Sequence, residues 1–197
     1  ATPENAQTSM AGRSGLTRPI RRMNFCMISD KLKKIQLLLL DVDGVLTAGE
    51  IIYMGPDLEA KIFNIKDGMG IRLFREAGLE VGVVTGRRSE ALLRRLRELG
   101  VRLCFDGVGD KAALLDKILT DTGHFFDEVA FAGDDLPDIA LMKRVGISIA
   151  VSDAHEAVKA NADWVTEKAG GRGAVREICE RILEAKGMWE DILNTWT

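Results

Sequence analysis

From residue 35 onwards, short apolar runs alternate with longer amphipathic segments. Six runs have the length and composition of buried strands, at 36–42, 79–84, 101–105, 128–132, 147–150 and 163–165. Between them lie stretches with helical periodicity, at 69–77, 89–99, 111–120, 136–145, 154–160 and 174–185. Strands that are apolar on both faces and alternate with helices are typical of a parallel sheet covered on both sides. The pattern therefore predicts an α/β fold with a doubly wound parallel sheet.

One segment interrupts this alternation. Residues 49–65 consist of two β-rich runs around a Gly-Pro-Asp turn at 55–57, which indicates a β-hairpin inserted after the first strand. Because the hairpin follows the first strand directly, we expect it to lie beside the end of that strand and to act as a flap.

The two ends of the chain differ from the middle. Residues 1–34 carry basic groups but no long apolar run, and we interpret them as a flexible N-terminal extension to a domain at 35–186. The tail at 187–197 has an apolar stripe at helical spacing, formed by Trp189, Ile192, Leu193 and Trp196. We expect this stripe to pack on its own domain or, as the favoured alternative, on a neighbouring subunit.

Composition and charge narrow the classes of partner. The 197 residues carry a net charge of −3, which argues against binding to nucleic acid or to an anionic membrane surface. No apolar run approaches the roughly 18 residues that a membrane-spanning helix needs. The three cysteines are scattered without the spacing of a zinc site or a disulfide framework, and free thiols fit a reducing cytoplasm.

Polar side chains follow the predicted strands. In an open α/β sheet, ligands bind outside the carboxyl ends of the strands, so these side chains are candidates for one site. They are Asp41 and Asp43 after the first strand, Thr85 and Arg87 after the second, Lys111 at the start of the helix after the third, and Asp134, Asp135 and Asp138 after the fourth. Within an extended strand, Asp41 and Asp43 would share one face.

This set of side chains suits phosphoryl transfer. A carboxylate can act as a nucleophile towards phosphorus, and two carboxylates with a backbone carbonyl suffice for Mg²⁺. Lys111 would screen the repulsion between the nucleophile and a phosphate, and Thr85 would hold a phosphoryl oxygen. A lysine is electrostatically disfavoured at a helix N-terminus, which favours a functional reason for Lys111. Asp138 is expected to orient Lys111 or a metal-bound water.

These residues resemble the four ordered motifs of the haloacid dehalogenase (HAD) phosphatases. The segment DVDGVLT at 41–47 resembles the first motif, and Thr85, Lys111 and residues 133–138 resemble the second, third and fourth. The gaps between the motifs leave no room for a cap domain. Within the capless branch, segments 63–71, 85–89 and 170–177 are similar to the 3-deoxy-D-manno-octulosonate 8-phosphate (KDO 8-phosphate) phosphatase family.

The resemblance implies a function and an assembly. Members of that family hydrolyse a sugar-acid phosphate on the cytoplasmic route to lipopolysaccharide and use Mg²⁺. They form a homotetramer in which neighbours cover each other's active sites. The expected partners are therefore a small-molecule sugar-acid phosphate and further copies of the chain.

The resemblance also implies residue roles. Asp41 would be the nucleophile, and Asp43 the general acid and base with a carboxyl group free to move protons. Mg²⁺ would bind Asp41, the Asp43 backbone carbonyl and Asp134, while Thr85 and Lys111 would hold the phosphoryl group. Substrate contacts would fall on Lys66, Asp67, Arg72, Arg87 and Arg172, the last of which is alternatively part of a helix-capping loop.

Three alternatives stay open at this point. One is a phosphatase for a related nine-carbon sugar-acid phosphate. A second is a signalling receiver domain, which also combines Asp, Thr, Lys and Mg²⁺, although there the phosphorylated Asp follows the third strand. A third is a non-catalytic HAD-like domain retained for oligomerisation, against which the complete set of acidic residues argues.

Overall fold

The computed structural model describes residues 25–55 and 58–196. Its eight strands are β1 (Leu37–Leu40), β2 (Ile52–Gly55), β3 (Leu58–Ala60), β4 (Glu80–Val84), β5 (Leu103–Phe105), β6 (Val129–Gly133), β7 (Ile147–Ala150) and β8 (Trp164–Val165). Six of them form one parallel sheet in the order β5-β4-β1-β6-β7-β8. The predicted doubly wound parallel sheet is confirmed.

Helices connect the strands. They are α1 (Phe25–Lys34), α2 (Ile65–Glu76), α3 (Glu90–Leu99), α4 (Lys111–Thr122), α5 (Ile139–Met142), α6 (Glu156–Lys159), α7 (Ala174–Ala185) and α8 (Trp189–Asn194). The helix predicted over 136–145 is instead a 3₁₀ turn at Leu136–Asp138 followed by the short α5. The second helix begins earlier than predicted, because the Asn64 side chain accepts a hydrogen bond from Lys66 N and caps it.

The first strand lies in the centre of the sheet and is entirely buried. Its four leucines pair with β4 on one side and with β6 on the other. Complete burial of a leucine side chain is worth about 1.5–3 kcal/mol, so the apolar run holds β1 firmly in place. Because the chain leaves β1 towards β4 and later returns to it at β6, the carboxyl ends of β1 and β6 border the crevice where such sheets bind ligands.

The predicted domain boundary at residue 35 needs correction. Residues 25–34, which we expected to belong to a flexible extension, form α1, and this helix packs against α7. Leu32 is buried and Ile28 packs against the core, at the i, i+4 spacing of one helix face. The described part of that range therefore belongs to the domain, while residues 1–24 lie outside the described residues.

The predicted hairpin is confirmed as β2 and β3. The two strands are antiparallel and pair Ile52 with Ala60 and Tyr53 with Glu59, so the paired part is shorter than the predicted 49–65. Pro56 and Asp57 of the expected turn lie outside the described residues. Because the hairpin forms a sheet of its own, it stands apart from the main sheet, beside the turn that follows β1. We call β2 and β3 together with Lys61 the flap.

The residues of the C-terminal apolar stripe differ in their burial. Trp189 and Ile192 pack against the core, and the Arg176 guanidinium lies 5.7 Å from the centroid of the Trp189 ring. Leu193 and Trp196 are exposed. Part of the stripe thus covers its own domain, and its contact with a neighbouring subunit stays a prediction. Among the described helices, none combines the length and apolar character required to cross a bilayer.

Candidate active site

The two acidic residues after β1 are presented by a strand end and a turn. The strand ends at Leu40, and Asp41 N makes the last sheet hydrogen bond, donating to Ala132 O at 3.0 Å. The chain then turns at Val42, whose carbonyl accepts hydrogen bonds from Leu46 N and Thr47 N. The expectation that Asp41 and Asp43 share one face of a strand is therefore wrong, because the extended conformation ends before Asp43.

Two glycines allow the surrounding segments to approach this turn. Gly44 has φ +97°, and a Cβ atom there would lie 2.0 Å from Asp134 Oδ2. A Cβ atom on Gly170 would lie 1.6 Å from Gly44 O. Gly171 N donates to Val45 O at 2.8 Å. The absence of side chains at these positions brings Asp134 and the 170–173 loop against the Asp41 turn.

Lys111 lies at the centre of a buried group of acids. It is the first residue of α4, which Asp110 caps by accepting hydrogen bonds from Ala112 N and Ala113 N. Its Nζ is 2.7 Å from Asp41 Oδ1 and 2.7 Å from Asp138 Oδ1. These two carboxylates offset the unfavourable position of a cation at a helix N-terminus. Asp138 thus contacts Lys111, one of the two groups that we expected it to orient.

Three carboxylates converge here. Asp41, Asp134 and Asp138 each offer an oxygen atom, and these atoms lie within 4.8 Å of one another. Asp134 Oδ1 is buried and has no hydrogen-bond partner. The Asp138 carboxylate belongs to the same cluster, where its second oxygen accepts from Asp134 N at 2.9 Å.

The electrostatics of this cluster favour a bound cation. Burial raises the pKa of Asp41 to about 6, with Lys111 opposing the rise and Asp138 adding to it. Burial and then repulsion from Asp41 and Asp138 raise the pKa of Asp134 to about 8. Three carboxylates share one ammonium group, so two negative charges stay uncompensated when all are ionised. An all-oxygen donor set with this charge suits a hard divalent cation such as Mg²⁺.

Asp43 belongs to a second cluster, which links the turn to the flap. The Lys61 ammonium group donates to Asp43 Oδ1 and lies 3.2 Å from Glu59 Oε1. Arg87 Nε lies 3.6 Å from Asp43 Oδ2, and Arg87 Nη2 donates to Glu59. One oxygen of the Asp43 carboxyl group, which we expect to move protons, is thus bound by Lys61.

The turn after β4 places Thr85 and Arg87 at the same crevice. Thr85 is buried, its N donates to Phe105 O at 2.9 Å, and its Oγ1 accepts from Arg87 N at 3.2 Å. Ser89 then caps α3, where its side chain accepts a hydrogen bond from Leu92 N. The resulting cleft has a volume of about 520 Å³ and brings together all the expected catalytic and metal-binding residues, namely Asp41, Asp43, Thr85, Lys111 and Asp134.

Only some of the residues expected to contact substrate line the cleft or the groove beside it. Arg87 lines the cleft, and Lys66 and Arg172 line a neighbouring groove of about 410 Å³, which begins at Ala48 and Glu50 on either side of Gly49 in the cleft. Asp67 is buried and accepts hydrogen bonds from Gly173 N and Arg176 N, where it anchors the start of α7. Arg72 pairs with Glu76 on the exposed face of α2. Within residues 25–55 and 58–196, Asp67 and Arg72 thus lie outside both the cleft and the groove.

Lys61 and Glu59 were not predicted from the sequence. Glu59 lies in β3, and Lys61 follows that strand two positions later. A pair of opposite charges in a short hairpin is common on exposed surfaces. The signal that could have identified them is their position opposite a strand end that carries another carboxylate.

Comparisons with known proteins agree with this geometry. The profile of the haloacid dehalogenase-like hydrolases matches residues 106–178. The KDO 8-phosphate phosphatase of Escherichia coli strain K12 is 43% identical over 162 residues, which cover 82% of this chain and 86% of the relative.

Solved structures show the same similarity. The KDO 8-phosphate phosphatase of Moraxella catarrhalis, in complex with magnesium, phosphate and KDO, superimposes with a TM-score of 0.86 at 36% identity, covering 88% of this chain and 100% of that one. The Yersinia pestis enzyme has a TM-score of 0.80 at 41% identity, with 83% and 88% covered. The chain therefore belongs to the haloacid dehalogenase-like hydrolases and, within them, to the KDO 8-phosphate phosphatase family.

Proposed function

We propose that this chain is a Mg²⁺-dependent phosphatase that hydrolyses KDO 8-phosphate to KDO and phosphate. The observation that carries the proposal is the buried Asp41 carboxylate, with Lys111 Nζ 2.7 Å away and Asp134 in the same cleft. The similarity to a phosphatase that binds magnesium, phosphate and KDO supports the same chemistry and substrate here.

The acidic cluster supports a Mg²⁺ site. Asp41, Asp134 and the backbone carbonyl of Asp43 would hold the ion, and the partnerless Asp134 Oδ1 fits a ligand oxygen. Asp138 uses both oxygens, one for Lys111 and one for Asp134 N, and so orients the other groups. When bound, the ion withdraws negative charge from the phosphoryl oxygens.

The first half of the reaction transfers the phosphoryl group to Asp41. A carboxylate oxygen of Asp41 forms a bond to phosphorus while the bond from phosphorus to the sugar oxygen breaks. Lys111 and the Thr85 hydroxyl group hold the phosphoryl oxygens and offset their charge. Asp43 donates a proton to the departing sugar alkoxide, which leaves KDO and an aspartyl-phosphate.

The second half releases phosphate. A water molecule attacks the phosphorus atom of the aspartyl-phosphate, and Asp43, now deprotonated, accepts a proton from that water. The bond between phosphorus and the Asp41 oxygen breaks. Asp41 returns as a carboxylate and Asp43 returns in its protonated form, ready for the next substrate.

The groove beside the cleft supports recognition of an anionic sugar. Lys66 and Arg172 line this groove, and Arg87 lies at the edge of the cleft, so three cations surround the path of a sugar acid. We expect them to bind the substrate carboxylate and hydroxyl groups. Asp67 supports this surface through Gly173 N, next to Arg172. Arg72 would contact substrate only from another copy of the chain.

We further propose a homotetramer in which neighbours cover each other's clefts. Support comes from exposed apolar side chains on and beside the flap, Ile51, Tyr53, Met54 and Leu58, and from Leu193 and Trp196 in the C-terminal tail. A fully active monomer in light scattering would contradict this assembly. A cytoplasmic location fits the free thiols of Cys104 and Cys179 and a phosphorylated metabolite as substrate.

The substrate is tested by phosphate release from purified protein. We expect KDO 8-phosphate to be preferred over a related nine-carbon sugar-acid phosphate and over simple hexose phosphates, with activity dependent on added Mg²⁺. Preference for the nine-carbon substrate would reassign the substrate but keep the chemistry. No release from any phosphate monoester would favour a non-catalytic domain or a receiver-like phosphate acceptor.

A further inference from the structure

Lys61 is a buried cation of the flap. Its side chain is 2% exposed, although it belongs to a hairpin whose Tyr53 and Met54 side chains are exposed. Lys61 follows β3 directly, and its ammonium group lies between Asp43, on the turn after β1, and Glu59 on the flap. A buried ammonium group is costly unless it is paired, so these contacts define its position.

The cluster around Lys61 is a closed ring of alternating charges. Lys61 binds Asp43 and Glu59, and Arg87 reaches the same two carboxylates from the turn after β4. With two acids and two bases the ring is electrically neutral. Three separate segments of the chain therefore meet at Asp43, and only Lys61 and Glu59 come from the flap.

The ring distinguishes the two oxygens of Asp43. Oδ1 accepts a hydrogen bond from Lys61. Oδ2 is buried without a hydrogen-bond partner, and its nearest ion-pair contact is Arg87 Nε at 3.6 Å. An ammonium group that occupies one oxygen fixes the orientation of the carboxyl group and leaves the other oxygen to carry a proton.

We infer that Lys61 is a positioning residue, which orients Asp43 so that Oδ2 transfers the proton in the phosphatase reaction. This inference rests on the proposed function. In the first step the Oδ2 proton moves to the sugar oxygen as its bond to phosphorus breaks and the Asp41–phosphorus bond forms. In the second step Oδ2 takes a proton from water as the water oxygen bonds to phosphorus and Asp41 is released.

The position of Lys61 also couples the flap to the chemistry. Because Lys61 belongs to the hairpin and Asp43 to the turn after β1, the contact that orients Asp43 exists only when the flap rests on that turn. Closure of the flap over a bound substrate and orientation of the Asp43 carboxyl group thus occur together. A flap that is open lacks the contact that orients Asp43.

The test compares two substrates that differ in their need for a proton donor. Lys61→Met removes the ammonium group and keeps a side chain of similar length. With enzyme in excess, we expect the first turnover of KDO 8-phosphate to slow by roughly 10- to 100-fold, within the range of general acid catalysis. The first turnover of p-nitrophenyl phosphate, whose leaving group needs no proton, should slow by less than about 5-fold.

A structural defect alone would slow both substrates equally, and equal losses or no loss for either would overturn the inference. Lys61→Arg, which retains a cationic donor, should recover most of the KDO 8-phosphate rate. Lys117→Met is the matched control, because Lys117 pairs with Asp121 on the exposed surface of α4, and it should leave both rates unchanged. If Lys61→Met does not fold, the charge-balanced double variant Lys61→Met with Glu59→Gln replaces it.

The same experiment separates this inference from the proposed substrate. A wild-type protein that cleaves another sugar phosphate but not KDO 8-phosphate would contradict the substrate alone. The Lys61 comparison is then made between that sugar phosphate and p-nitrophenyl phosphate. Hydrogen exchange of the flap amides is an additional readout without substrate, and faster exchange in Lys61→Met than in wild type is expected, whereas unchanged exchange would overturn the coupling of the flap to Asp43.

Discussion

The cleft contains two charged clusters, which differ in the elements that hold them and in their balance of charge. The sheet cluster, formed by Asp41, Lys111, Asp134 and Asp138, is attached to strand ends and a helix start and has more acids than bases. The flap cluster, formed by Asp43, Glu59, Lys61 and Arg87, joins the turn after β1 to the hairpin. It has equal numbers of acids and bases. The first cluster requires a cation from solution, and the second is complete without one.

This difference separates two tasks in phosphoryl transfer. A nucleophile and a metal site need fixed geometry, which buried strand ends supply. A proton donor must work with substrates that enter and leave, so its position can depend on a movable element. Asp41, the proposed nucleophile, and Asp43, the proposed proton donor, are two residues apart in sequence, but Lys111 pairs with the first and Lys61 with the second.

The largest effect is expected from Asp41→Asn in the sheet cluster. The amide cannot form the aspartyl-phosphate, so kcat should fall on the order of 10⁵-fold or more, as for loss of other covalent nucleophiles. Phosphate release in the presence of Mg²⁺ measures it. The substitution removes one buried negative charge, so an unchanged or higher melting temperature of the metal-free protein serves as the folding control. Substantial residual turnover would contradict the role of Asp41.

The next effect concerns stability and compares the two central lysines. Lys111→Met leaves Asp41 and Asp138 as buried carboxylates without their cation, and breaking such a buried pair costs about 3–5 kcal/mol. For a chain of this size the melting temperature should fall by roughly 6–20 °C. Lys61→Met should cost less, because Asp43 and Glu59 keep Arg87. Equal losses in thermal unfolding would show that the clusters do not differ in this way.

The sequence predicted the sheet cluster far better than the flap cluster. Strand ends collect functional side chains in this architecture, and Lys111 was conspicuous at a helix start, so the residue pattern alone was enough to group Asp41, Thr85, Lys111 and Asp134 in one site. Lys61 and Glu59 were not added to that group, because their local pattern is that of an ordinary hairpin and only the folded structure shows their contacts with Asp43 and Arg87.

Other differences have similar physical causes. Strand length was overestimated at β1, because Val42 is apolar but its carbonyl closes a turn. The helix α1 was not predicted, although Ile28 and Leu32 have helical spacing; a helix of ten residues is marginal alone, and its contacts with α7 stabilise it. Asp67 looked like a substrate residue but anchors the backbone at Gly173 and Arg176, a role that depends on tertiary packing.

The excess of acids in the sheet cluster predicts a dependence on pH. The pKa of Asp134 is raised from 3.8 to about 8 in the folded protein, so between these values the folded state binds more protons than the unfolded state. The contribution of Asp134 to the stability of the metal-free protein is therefore fully present at low pH and is lost as the pH rises through about 8. The raised pKa of Asp41, about 6, acts in the same direction.

Melting in chelator from about pH 5 to about pH 8, for wild type and Asp134→Asn, tests this dependence. We expect the variant to gain stability relative to wild type as the pH rises. Mg²⁺ should stabilise wild type at the high end of this range and Asp134→Asn much less, because the variant lacks a ligand carboxylate. A constant difference between the two proteins across the range would mean that Asp134 ionises normally.

The smallest effect is expected at the outer side of the flap cluster. Glu59→Gln weakens pairs with Arg87 and Lys61, but Arg87 is 43% exposed, so the loss in unfolding free energy should be about 1 kcal/mol or less. Added salt should reduce that loss further, since it screens exposed charges more than buried ones. Asp138→Asn is the matched change in the sheet cluster, where the Asp138 side chain is 2% exposed, and its effect on the free energy of unfolding should not depend on salt. Urea unfolding at low and high salt distinguishes the two, and a salt-independent loss for Glu59→Gln would place the flap cluster in the same buried class as the sheet cluster.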